Sequence, residues 1–195
     1  MSDKPIGVMP LCIMAIFLGV MGVLGGGMGI VGLLFKPKTA APNPNPKLTE
    51  INAEFERRMA DLTKQSRPVS MAVIPAVILT SGLLAAAGIA GIKLQGLGLL
   101  KVAFGANLLV DLAGAGFGFL VQFQSVEILK WYFREVGNAQ GADKLAAGVQ
   151  MGMQIGLYTG MFFGVFWLVA KLVYYILGLI YFNKPAVAEA FRSKA

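Results

Sequence analysis

Two ionisable side chains sit alone in long apolar stretches. Asp111 is the one charge in residues 102–126, and Lys171 is the one charge in residues 145–182. A charged side chain at the centre of a membrane helix costs roughly 2.5–3.5 kcal/mol on insertion scales, so it is expected to pair, line water or relay protons. Counted along a helix, Asp111 lies about 15 Å from Lys101, and Lys171 about 16 Å from Phe182. On antiparallel helices the two fall at similar depth, and the spacing predicts that they pair. Asp111 also belongs to a polar seam of Asn107, Asp111, Gly114, Gly118, Gln122 and Ser125, spaced 4, 3, 4, 4 and 3 along one helix face. A fixed ion pair that sets helix register is one reading of these residues. A second has Lys171 reaching the interface and Asp111 uncharged. A third is an ion or proton path in which Asn107, Gln154 and Tyr158 join Asp111 and Lys171.

A second pattern could act through contact. Gly148, Gly152, Gly156, Gly160 and Gly164 recur at every fourth position. The ladder drifts about 40° per step around a 3.6-residue helix, and small residues so arranged let another helix approach closely. The approaching helix is expected to be either the glycine-rich first span of the same chain or a helix of a second copy or partner. A third pattern is Leu48, Ile51, Phe55, Met59 and Leu62, an apolar stripe stepping by 3, 4, 4 and 3. It predicts an amphipathic helix from Leu48 to Lys64, lying on the membrane surface or docking a partner protein.

Conventional catalytic chemistry has little to work with. The 195-residue chain has no histidine, which removes the usual general base at neutral pH and the commonest metal ligand. Its one cysteine, Cys12, makes neither an intrachain disulfide nor a zinc site and reads as a small buried hydrophobe. No phosphate-binding loop, dinucleotide fingerprint or nucleophile elbow occurs. The expectation is therefore a protein that is not an enzyme, with no catalytic residues, metal or cofactor. The net charge of +7 reads as basic residues meeting lipid headgroups rather than nucleic acid.

The elements that must position these residues follow from hydropathy. Hydrophobic residues make up 56% of the chain and charged residues 14%, against about 45–50% and about 25% in a soluble domain. Residues 5–35 and 68–92 carry no charge at all, and about 20 apolar residues span a bilayer as a helix. The chain reads as an all-α membrane protein, a single integral domain over 1–195. Its architecture is a four-transmembrane-helix bundle with an amphipathic helix in the first loop. Spans are expected at 6–35, 69–92, 102–126 and 155–181, with a polar loop at 36–68 and an amphipathic tail at 183–195. The first run is too long for the apolar core of a cleaved signal peptide.

Local signals refine the spans. Met14, Met21 and Met28 form a stripe expected to fill the core. Pro42, Pro44 and Pro46 predict an extended, semi-rigid stretch. Pro68 suits the start of the second helix, where Gly82, Ala86 and Ala90 offer a small-residue face. Lys130, Trp131, Tyr132, Phe133 and Arg134 read as an interfacial cluster beyond the third span. The short connection 93–101 makes the second and third helices an antiparallel hairpin. Basic residues flank both sides of the spans, so their bias does not fix an orientation.

The turn from Gly91-Ile92-Lys93-Leu94 to Gly98-Leu99-Leu100-Lys101 resembles a recurring hairpin of small bacterial membrane proteins. The tail Tyr181-Phe182-Asn183-Lys184-Pro185, with Val187 and Phe191, is similar to an ending common in that group. The resemblance covers the turn and the tail only. It implies a four-span protein of the bacterial inner membrane and no particular activity. The expected function is a small scaffold or accessory subunit, a homo-oligomer or the companion of another membrane protein, with the lipid bilayer as its surroundings. The alternative is a small channel or transporter centred on Asp111 and Lys171.

Overall fold

A computed structural model of the chain describes residues 5–34, 45–140 and 143–193; the side chains of 29–34, 140, 143–147, 149–150, 153–154 and 157 lie outside the description. The described residues are all-α, with five helices: α1 (Val8–Leu34), α2 (Pro46–Ile92), α3 (Leu97–Gln140), α4 (Asp143–Phe182) and α5 (Pro185–Arg192). The first four are long and apolar enough to cross a membrane, the property of an integral membrane protein.

The helices are longer than the expected spans. The segment Leu48–Lys64 is not a separate helix in a loop. It is the start of α2, which runs unbroken through Pro68 and Pro75. Each proline removes one backbone hydrogen bond and crowds the carbonyl four residues earlier. Both rings are exposed, so that crowding is relieved outward without disturbing a packed core. Similarly, α3 does not stop near 126 but carries Trp131 and Tyr132 onward to Gln140. Asn45 caps α2: its side-chain oxygen accepts from the Lys47 N–H at 3.1 Å, and its carbonyl accepts from the Thr49 N–H at 3.1 Å. The extended stretch expected at Pro42 and Pro44 lies outside the described residues.

The chain forms two compact units, and α2, α3 and α4 each contribute one segment to each. The first unit contains α1, residues 71–92 of α2, 97–114 of α3, 168–182 of α4, and α5. Its core gathers Val8, Cys12, Ala15 and Leu18 with Leu84, Ala87, Leu100, Phe104, Tyr175, Phe182, Val187 and Phe191. Phe104 is the centre of an aromatic cluster. Its ring centroid lies 5.2 Å from Tyr174, 5.9 Å from Tyr175 and 5.7 Å from Phe182. Gly178 makes this possible, since a Cβ there would collide with the Phe104 ring.

The glycines of α1 meet α2. A Cβ on Gly19 would stand 2.5 Å from the Ser81 carbonyl, and one on Gly88 would stand 2.7 Å from the Cys12 carbonyl. The face of α2 in this contact is Ser81, Ala85 and Gly88. The expected series Gly82, Ala86 and Ala90 lies off this contact: a Cβ on Gly82 would meet nothing within 4 Å among the described residues, and Ala86 is exposed. Cys12 is fully buried, as expected of a small hydrophobe. The methionine stripe is not core. Met14, Met21 and Met28 all face outward, because the glycine face of α1 takes the helix contact and leaves them on the other side.

The link between α2 and α3 is a Schellman turn. The Gln95 N–H donates to the Ala90 carbonyl at 3.0 Å, and the Leu94 N–H donates to the Gly91 carbonyl at 2.9 Å. Leu94 occupies the left-handed position, φ 56°, where glycine is usual, and its side chain is 1% exposed. Burial of the leucine offsets the backbone cost of about 1–2 kcal/mol. The tail is helical as α5, which buries Val187 and Phe191.

The second unit contains residues 46–70 of α2, 115–140 of α3 and 143–167 of α4. Leu48 and Leu62 are buried, and Ile51, Phe55 and Met59 are half-buried. Phe55 packs on Tyr132 with ring centroids 4.5 Å apart, and the Tyr132 hydroxyl donates to Asn52 Oδ1 at 2.9 Å. The apolar stripe of α2 is thus engaged within its own unit. The described part of α4 here is exposed along almost its whole length.

Candidate functional site

Asp111 and Lys171 come together in the first unit. Helix α3 presents the carboxylate and α4 the ammonium, and Lys171 Nζ forms an ion pair with Asp111 Oδ2. The Tyr175 hydroxyl donates to the same oxygen at 3.1 Å. Lys171 and Tyr175 are four residues apart on α4, one above the other on the same face, and Lys171 Nζ also lies 6.0 Å from the Tyr175 ring centroid. The side chains of Lys171 and Asp111 are only 18% and 13% exposed. In such surroundings the charges need each other, because one left alone would lack both its counter-charge and water.

Asn107 takes a different partner. It is 3% exposed, and its Nδ2 donates to the Thr80 carbonyl at 2.7 Å and to the Ala103 carbonyl at 2.9 Å. This ties α3 to α2, one turn from Asp111 but outside the ion pair. The Thr80 carbonyl can accept from Asn107 because a carbonyl oxygen has two lone pairs; the Thr80 hydroxyl separately donates to the Ala76 carbonyl at 2.9 Å. Nearby, the Tyr174 hydroxyl donates to the Leu11 carbonyl of α1 at 2.6 Å. Among the described residues, no buried side-chain nitrogen or oxygen is left without a partner.

The other residues expected on the polar path, Gln154 and Tyr158, belong to the second unit. Tyr158 is 59% exposed. Gln154 is helical, but its side chain lies outside the described residues. Further along the seam, Ser125 returns its hydroxyl to the Val121 carbonyl of its own helix at 2.9 Å. Gly118 is exposed.

The glycine ladder is bare. At Gly148, Gly152, Gly156, Gly160 and Gly164, no described residue lies within 4 Å of where a Cβ would stand. The glycines of α1 that have close neighbours meet α2 instead, since Ser81, Ala85 and Gly88 present a small face of their own. Among the described residues the two glycine-rich surfaces therefore differ: that of α1 is filled by α2, and the ladder has no described neighbour.

Two participants escaped the sequence reading. Tyr175, one of several aromatics towards the end of the apolar run 145–182, is 1% exposed and bonded to Asp111. Its spacing of four from Lys171 was the available signal. Thr80 takes part through its backbone carbonyl, which no residue type announces. No group of three or more metal-ligating side chains occurs among the described residues. Compared with known protein families, curated proteins and solved structures, the chain finds no match.

Proposed function

We propose that this chain is a membrane-embedded packing subunit, a small scaffold or accessory protein that works by helix contact. Its working surface is the glycine face of α4, which receives a helix from a second copy or from a partner membrane protein. The observation that carries this reading is the contrast between two glycine surfaces: a Cβ on Gly19 or Gly88 would collide with a neighbour, whereas one on Gly148, Gly152, Gly156, Gly160 or Gly164 would meet nothing within 4 Å among the described residues. Between helices in lipid the hydrophobic effect supplies little drive. Association there depends on close backbone approach and van der Waals contact, which a glycine groove permits. Such a role needs no nucleophile, metal or cofactor. The resemblance of the turn and tail supports a bacterial inner-membrane location.

A transport role for Asp111 and Lys171 has less support. A path needs polar groups free to exchange partners, and here the carboxylate is held by Lys171 and Tyr175 while Asn107 is held by two carbonyls. The test is native mass spectrometry of the full chain extracted in mild detergent. The wild type should emerge in a complex, and Gly156→Leu combined with Gly160→Leu should release a folded monomer. A wild type that is monomeric throughout refutes the packing reading. So does proteoliposome ion flux that vanishes in Asp111→Asn while assembly is unchanged.

A further inference from the structure

The geometry points to a binding site for the headgroup of a zwitterionic phospholipid, phosphatidylethanolamine, on the α3 segment of the second unit. A cavity of about 420 Å³ is lined by Glu127, Lys130, Trp131 and Arg134, within the size range of small-ligand clefts. These four residues step by 3, 1 and 3, so they share one face of the helix. They begin one residue after the apolar run that ends at Val126, where a helix leaving hydrocarbon enters the headgroup layer and where tryptophan concentrates.

The charges on this face are arranged for a ligand that carries both signs. Glu127 and Lys130 are exposed and three residues apart, a spacing at which such side chains readily pair, yet neither forms an ion pair among the described residues. Arg134 has only a neighbour contact, its Nε 3.5 Å from Glu135 Oε1, and its side chain is 68% exposed. The outer guanidinium nitrogens remain available. Trp131 is held in place from α2 by Arg58, whose guanidinium carbon lies 4.1 Å from the ring centroid. Arg58 is itself steadied by Glu54 at 2.9 Å.

A phosphate diester fits between Lys130 and Arg134, which offer charge-assisted donors. The primary ammonium of ethanolamine fits Glu127, an acceptor-only group that a purely anionic headgroup would avoid. Choline fits less well, because a trimethylammonium keeps its charge but has no N–H to donate to the carboxylate. The acyl chains have a place as well. Leu120 and Phe123, 66% and 60% exposed, lie seven and four residues before Glu127 on the same face of α3. This site is independent of the glycine ladder and stands whether or not α4 packs against another helix.

The test is native mass spectrometry of the full-length protein with phosphatidylethanolamine, phosphatidylcholine and phosphatidylglycerol of identical acyl chains. Phosphatidylethanolamine should be retained about tenfold more strongly than either of the others, the fold-change of one charge-assisted contact. Glu127→Gln should abolish that preference without weakening phosphatidylglycerol. Lys130→Gln with Arg134→Gln should weaken all three lipids. Unchanged thermal melting would show that these exposed substitutions leave the fold intact. Equal retention of the three lipids by the wild type overturns the site, as does an undiminished preference in Glu127→Gln. Soluble phosphoethanolamine competing as well as the lipid overturns the assignment to a lipid.

Discussion

Removing the charge of Lys171 while keeping its length, as in Lys171→Met, leaves Asp111 with a single hydrogen bond from Tyr175 in a site where its side chain is 13% exposed. Breaking a buried pair from one side costs about 3–5 kcal/mol. Asp111→Asn strands the ammonium instead, in a site where Lys171 is 18% exposed, and should cost a similar amount. The double variant Asp111→Asn with Lys171→Met removes both charges and their desolvation together, so it should recover most of the loss and end within about 1 kcal/mol of the wild type or above it. Tyr175 keeps a partner throughout, since an asparagine oxygen still accepts its hydroxyl. The assay is reversible unfolding in mixed micelles by denaturing detergent, followed by tryptophan fluorescence, with the coupling energy read from the four-protein cycle. If each single variant lies within about 0.5 kcal/mol of the wild type, the two charges do not depend on each other and the account of this core is wrong. Additive losses in the double variant would contradict it equally.

Two further outcomes test the packing. Gly88→Leu should destabilise the folded monomer by about 1–3 kcal/mol or more in the same unfolding assay, because the new side chain meets the Cys12 backbone carbonyl, which cannot step aside. Gly152→Leu, where a Cβ meets no described residue, should not destabilise the dissociated monomer in that assay, its cost falling on the assembled state instead. At Leu94, alanine should be worse than glycine. Both lose a buried side chain worth about 2–5 kcal/mol, but glycine recovers the left-handed cost of about 1–2 kcal/mol and alanine does not. Thermal melts ordering leucine, glycine and alanine from most to least stable would agree; alanine above glycine would not.

Much of this structure was legible in the chain. The four apolar helices follow from uninterrupted hydropathy, and the partnership of Asp111 with Lys171 follows from counting depth along antiparallel helices. Helix ends were less legible. Pro68 signals a start in a soluble helix, but an exposed ring with its crowded carbonyl also facing out is tolerated within a long one. The amphipathic period from Leu48 to Leu62 correctly marks which side is apolar, yet a stripe does not tell what covers it; here Tyr132 of α3 packs against Phe55. Glycine spacing has the same ambiguity. Gly19 and the α4 ladder look alike in sequence, and only tertiary placement tells a filled groove from an open one. Tyr175 stands among several aromatics near the end of its apolar run, and only its spacing of four from Lys171 sets it apart.

The central claim, that the α4 ladder is a contact surface for another helix, is tested most directly in native membranes by a photoreactive amino acid placed at Gly156. The account predicts a covalent adduct to a second copy or to another membrane protein, while the same probe at the exposed Phe166, away from the ladder, reacts only with lipid. Lipid adducts alone at both positions would contradict it.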